Sequence, residues 1–84
     1  MSIIFQEGEI AQHNTLEDCW VIAHGNVYDI TKFVNRHPGG KYVLKSNAGK
    51  DVSRHFDFHP VRAQKIWKKF LIGTISKSTN CGCF

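Results

Sequence analysis

The sequence predicts an α+β domain, on three observations. Two runs rich in β-branched and aromatic residues, "CWVIA" at 19–23 and "VYDI" at 27–30, flank a turn signal. Several very short helical patterns follow, each punctuated by glycine or proline. A third β-prone run, "FLIGTI" at 70–75, then closes the ordered part of the chain.

Taken in order, His24-Gly25-Asn26 between the first two runs makes them a β-hairpin. "TKFVNR" predicts a short helix that stops at His37, because Pro38 drives the residue before it out of helical geometry. Gly39 and Gly40 then permit a sharp bend. "KYVLKSNA" predicts a second helix, capped at its C-terminus by Gly49. Asp51 is placed to cap the start of "VSRHF". Pro60 suits the first turn of a further helix, on which Ala63, Ile66, Trp67 and Phe70 recur at helical spacing. Helices this short are marginal alone and need something to pack against.

With 84 residues there is room for one domain, expected over 1–76, with a flexible tail over 77–84. A core this small is usually completed by a disulfide, a metal, a cofactor or a partner. Three cysteines cannot make a disulfide framework; Cys19 reads as a small core hydrophobe, and Cys81 and Cys83 lie in the tail. A reducing compartment and a cytoplasmic monomer are the expectation, with no signal peptide and no transmembrane anchor. Membrane association would need lipidation at Cys81 or Cys83. The net charge is +4, with cations that read as scattered and carry no nucleic-acid motif, so no nucleic-acid partner is expected. Such a basic face can steer an acidic protein partner or an anionic membrane surface.

Three of the five histidines, His37, His55 and His59, fall in one glycine-punctuated stretch. His37 precedes a Pro-Gly-Gly bend and His59 precedes Pro60, so both stand at element boundaries with two short helices between them. A zinc site asks for four clustered ligands, and the cysteines are badly placed for one. Ser46 and Ser53 lack a nucleophile-elbow context. Haem asks for only one or two axial ligands and an apolar slot, which the surrounding phenylalanines could supply.

From "HNTLEDCW" to "FLIGTI" the chain resembles the cytochrome b5 domain. The resemblance rests on "HPGG" at 37–40, with "WVIAHGNVYDITKF" before it and "AGKDVSRHF" after it. It implies a small mixed sheet, with short helix pairs framing a pocket for non-covalent haem b. His37 and His59 would be the iron ligands. Ile30, Phe33, Val43, Leu44, Phe56, Phe58, Phe70 and Ile72 would line the pocket. The "DF" segment at 57–58 is shorter than in typical members, which makes His55 a competitor for the second ligand position; His59 is preferred and His55 read as a bystander. Trp20 and Tyr28 are assigned to a separate structural cluster, and His13 and His24 to the surface or a turn, without a functional role.

Two axial histidines would leave no open position on iron, so the resemblance implies an electron carrier and not an enzyme. The implied donor is an NAD(P)H-dependent flavoprotein reductase, and the implied acceptor a desaturase, hydroxylase or other redox protein. A haem storage, carrier or sensing module is the alternative.

Overall fold

The computed structural model describes residues 3–36 and 41–76. His37, Pro38, Gly39 and Gly40, and the tail with Cys81 and Cys83, lie outside the described residues. The architecture is α+β, as expected: a five-stranded mixed sheet with short helices on both faces.

The sheet runs β1-β5-β4-β3-β2. Its centre is the hairpin of β3 (Asp18–Ala23) and β4 (Asn26–Asp29), in antiparallel register from Trp20 opposite Asp29 to Ala23 opposite Asn26. His24 and Gly25 form its two-residue turn with φ of 51° and 80°. Two consecutive positive φ values twist the chain as the flanking strands require. Histidine tolerates this left-handed region better than most side chains do. β2 (Asn14–Thr15) pairs antiparallel with β3, and β5 (Leu71–Ile75) pairs antiparallel with β4 across an irregularity at Val27/Tyr28. β1 (Ile4–Phe5) adds to β5 in parallel. That contact is close enough to demand a glycine: a Cβ on Gly73 would lie 2.3 Å from the Ile3 carbonyl oxygen.

The two-residue period of β3 sorts its side chains between two cores. Cys19, Val21 and Ala23 face one way and join Tyr28, Ile30, Val34, Leu44, Ala48, Val52 and Trp67. Trp20 and Ile22 face the other way, toward Val27 and toward Ile10 of α1 (Glu7–Gln12). Trp20 and Tyr28 therefore do not share a cluster, contrary to the expectation: neighbouring strands place them on opposite faces.

The first face carries the helices that frame the site. A 3₁₀ helix, Thr31–Arg36, follows the hairpin, and Asp29 caps it by accepting from the Thr31 N–H and hydroxyl at 3.1 and 2.7 Å. α2 (Lys41–Asn47) ends near Gly49, whose φ of 76° reverses the chain. α3 (Ser53–Asp57) starts one residue later than the sequence suggests, with Val52 in the capping position. The Asp51 carboxylate still accepts from the Ser53 N–H at 2.8 Å and its hydroxyl at 2.6 Å. α4 (Val61–Trp67) starts after Pro60 and tightens into a 3₁₀ turn, Lys68–Phe70.

Candidate functional site

Between α2, α3 and α4 the first face opens into a cleft of about 190 Å³. Val21 and Ile30 form its floor, Val43, Leu44 and Asn47 come from α2, and Val52, His55, Phe58, His59 and Trp67 complete it. The floor and the Leu44 side are buried, whereas Phe58 is 88% and Val43 48% exposed. An exposed phenylalanine beside an apolar opening is a surface that a flat apolar ligand would cover.

His59 sits in the three-residue link between α3 and α4, held from several sides. Its Nδ1–H donates to the His55 carbonyl at 2.6 Å. A carbonyl can only accept, so Nδ1 carries the proton and the neutral ring keeps its lone pair on Nε2. The backbone N–H of His59 donates to the Phe56 carbonyl at 3.1 Å. Gln64 Nε2 donates to the His59 carbonyl at 3.0 Å, and the ring meets Trp67 edge to face at 5.7 Å. A ligating histidine commonly donates its other ring N–H to such an acceptor, which fixes tautomer and orientation.

Behind this wall lies an aromatic layer. Phe56 meets Trp67 at 4.9 Å and stacks near Tyr28 at 6.2 Å, and Tyr28 meets Trp67 at 5.3 Å. Phe33 and Phe70 pair at 5.5 Å beyond them. His24 reaches the same layer from the hairpin turn. Its backbone N–H donates to Ser53 Oγ at 2.9 Å, its Nε2 meets Asp57 Oδ1 at 2.6 Å, and its ring lies edge-on to Phe56. His24 thus straps α3 to the hairpin at both ends, which the plain turn reading of this residue had not anticipated. His13 stacks on Trp20 at 3.6 Å on the far face and pairs with Asp18.

Of the expected pocket residues, Ile30, Val43, Leu44 and Phe58 line the cleft with His59. Phe33, Phe56 and Phe70 stand one layer back, packed on the core beneath it. Ile72 is misplaced by the expectation: β5 presents it to the opposite core, with Ile10, Ile22 and Val27. His37 lies outside the described residues. Val21, Asn47, Val52 and Trp67 were missed as lining residues, although the β3 alternation and the α4 periodicity point toward Val21 and Trp67. His55 also lines the cleft, and it supports His59 through its main-chain oxygen, so it is more than a bystander.

The donors present suit one kind of metal group better than others. Among the described residues no three His, Cys, Asp or Glu side chains gather as a bare-ion site requires. A group that brings four donors of its own needs only imidazole and an apolar slot, and among the described residues the cleft offers an apolar lining with the His59 imidazole in it. Among the described residues no helix is long and apolar enough to cross a membrane.

Residues 6–76 match the family described as "Cytochrome b5-like Heme/Steroid binding domain". Cytochrome b5 of Drosophila melanogaster is 43% identical over 88% of this chain and 57% of its own length. Cytochrome b5 of Borago officinalis is 43% identical over 94% and 61%. The chain thus spans a little over half the length of these curated relatives. The yeast (Saccharomyces cerevisiae) L-lactate dehydrogenase (cytochrome) is 48% identical over 75% of this chain, a stretch that is 10% of the enzyme. Among solved structures, cytochrome b5 of Ostreococcus tauri virus 2 superposes with a TM-score of 0.75 at 45% identity, covering 83% of this chain and 81% of that one. Ectothiorhodospira vacuolata cytochrome b558, a prokaryotic homologue of cytochrome b5, superposes at 0.81 with 29% identity, covering 88% and 99%. With most of its length matched and its fold shared, the chain belongs to the cytochrome b5-like haem/steroid binding domain family.

Proposed function

We propose that this domain binds haem b non-covalently between His37 and His59 and works as a one-electron carrier. Its donor would be an NAD(P)H-dependent flavoprotein reductase, and its acceptor a desaturase, hydroxylase or other redox protein. The carrying observation is the apolar cleft that holds an imidazole with its Nδ1 proton committed to the His55 carbonyl. Family membership supports the same reading.

When bound, the haem supplies the ferric–ferrous couple. The chain's own residues supply the setting. The His55 carbonyl keeps His59 in one tautomer and raises its basicity as a ligand. Trp67 and the Gln64 hydrogen bond hold the His59 link against α4, so the imidazole keeps its place whether the site carries one more charge or one fewer. Val21, Ile30, Leu44 and Val52 keep water from the inner part of the cleft and lower the local dielectric, which disfavours added positive charge. If His37 and His59 both held the iron, no position would be left for oxygen or substrate, which supports a carrier over an enzyme.

Absorption spectra of oxidised and reduced protein test this. The wild type is expected to show a six-coordinate, low-spin spectrum in both states, and His37→Ala and His59→Ala to lose it. His55→Ala is expected to keep it, because its contribution is a backbone oxygen that the substitution leaves in place. A His59→Ala protein with the wild-type spectrum would refute the ligand assignment.

A further inference from the structure

The wall that carries His59 is held differently at its two ends. The chain entering α3 is fixed to β3 through the backbone: the Ile22 N–H donates to the Lys50 carbonyl at 3.0 Å, and the Val52 N–H to the Ile22 carbonyl at 2.7 Å. The far end is held by side chains. From α4, Gln64 Nε2 donates to the Phe56 and His59 carbonyls at 3.3 and 3.0 Å. From the hairpin turn, His24 Nε2 meets Asp57 Oδ1 at 2.6 Å. A carboxylate only accepts, so Nε2 is the donor.

His24 also grips the near end of α3. Its backbone N–H donates to Ser53 Oγ at 2.9 Å, and that hydroxyl donates onward to Asp51 Oδ1 at 2.6 Å. Its ring stands edge-on to Phe56 at 5.8 Å. One residue thus spans a five-residue helix. The carbonyl that takes the His59 Nδ1 proton, that of His55, lies at the middle of this span. The residue type at position 24 points the same way. A two-residue hairpin turn with both φ values positive ordinarily takes Asn, Asp or Gly first. His24 stands there at φ 51°, and what its ring adds over asparagine is the reach to Asp57.

We infer that His24 is a positioning residue for His59: by holding α3 against the hairpin it keeps the His55 carbonyl on the His59 Nδ1 proton, and so governs how firmly, and at what potential, the site holds haem. This rests on the reading of His59 as an iron ligand. A carbonyl held on Nδ1–H makes the imidazole a stronger donor, which favours the ferric state. Loosening that carbonyl weakens the ligand and raises the potential.

The test compares haem-loaded wild type with His24→Asn, Asp57→Ala and the double variant. His24→Asn keeps the backbone donor to Ser53 and removes only the reach to Asp57. The control is His13→Asn, which removes a second histidine–carboxylate pair, with Asp18, on the far face of the sheet. Haem transfer to excess apomyoglobin is expected to be about two- to fivefold faster in each single variant, the scale of an exposed ion pair. The potential should rise, and the His59 Nδ1–H of the ferrous protein should exchange faster with solvent. The double variant should be no worse than either single one, because both remove the same bridge. Asp57→Asn, which keeps an acceptor oxygen, should restore wild-type behaviour. In haem-free protein the ring nitrogen shifts of His59 read the tautomer directly: Nδ1–H in wild type, a mixture in His24→Asn. An unchanged potential and Nδ1–H exchange in His24→Asn, additive effects in the double variant, or the same changes in His13→Asn would overturn the inference. A protein that takes up no haem, or that keeps six-coordination in His59→Ala, refutes the ligand reading beneath it. A protein that ligates iron through His59 but is indifferent to His24→Asn refutes only the positioning role.

Discussion

Cys19 lies fully buried on β3, and its backbone N–H donates to Thr31 Oγ1 at 3.0 Å. Burial, and then the negative charges of Asp29 and Asp18, push its thiol from 9.0 up to about 11. The folded protein therefore holds this proton where the unfolded chain has released it. The resulting stabilisation is complete below about pH 9 and falls away as pH rises toward 11. Denaturant melts of wild type and Cys19→Ala should converge over that window. Curves that stay parallel would show that the thiol does not titrate this way. His59 shows the same dependence on neighbours: its tautomer is set by a backbone oxygen four residues earlier.

α3 is only five residues long and cannot hold its shape unaided. Its two ends are tied to His24, and its carbonyls position His59. His24→Asn keeps a residue that tolerates positive φ but removes the imidazole that reaches Asp57. The bridge is surface-exposed, so global stability should fall by about 1 kcal/mol at most. Hydrogen exchange of the α3 amides should nonetheless quicken relative to β3, because the element opens locally without global unfolding. Unchanged exchange in α3 would mean that the strap contributes nothing. The element scale also explains the misplaced Ile72. Its neighbours in sequence suggest a cleft residue, but pairing with β4 and β1 turns it toward Ile10.

The whole molecule is small, and its cleft keeps Phe58 and Val43 in solvent. A ligand that fills the cleft in the folded state alone adds stability by mass action, about 4 kcal/mol at a thousandfold excess over Kd. For a domain of this size that corresponds to roughly 15 °C or more in melting temperature. Haem-free protein should melt lower than haem-loaded protein by such a margin in calorimetry. Equal melting temperatures would show that the cleft is not where the haem binds.

Local chemistry alone determined the hairpin with its His24-Gly25 turn, the stop at Gly49, the helix after Pro60 and the burial of Cys19, because each depends on φ limits or on side-chain period within a few residues. The placing of His59 beside a cleft was likewise legible from its position before Pro60. The sequence reading did not resolve β1, α1 and β2. β1 is two residues long and exists only by pairing with β5, some seventy residues away, so no local pattern marks it. Which core Trp20, Tyr28 and Ile72 join, which layer Phe33, Phe56 and Phe70 occupy, and which atoms hold His59 and α3 were decided by the tertiary structure. Strand register and backbone acceptors settle those matters, and neither is written in side-chain identity.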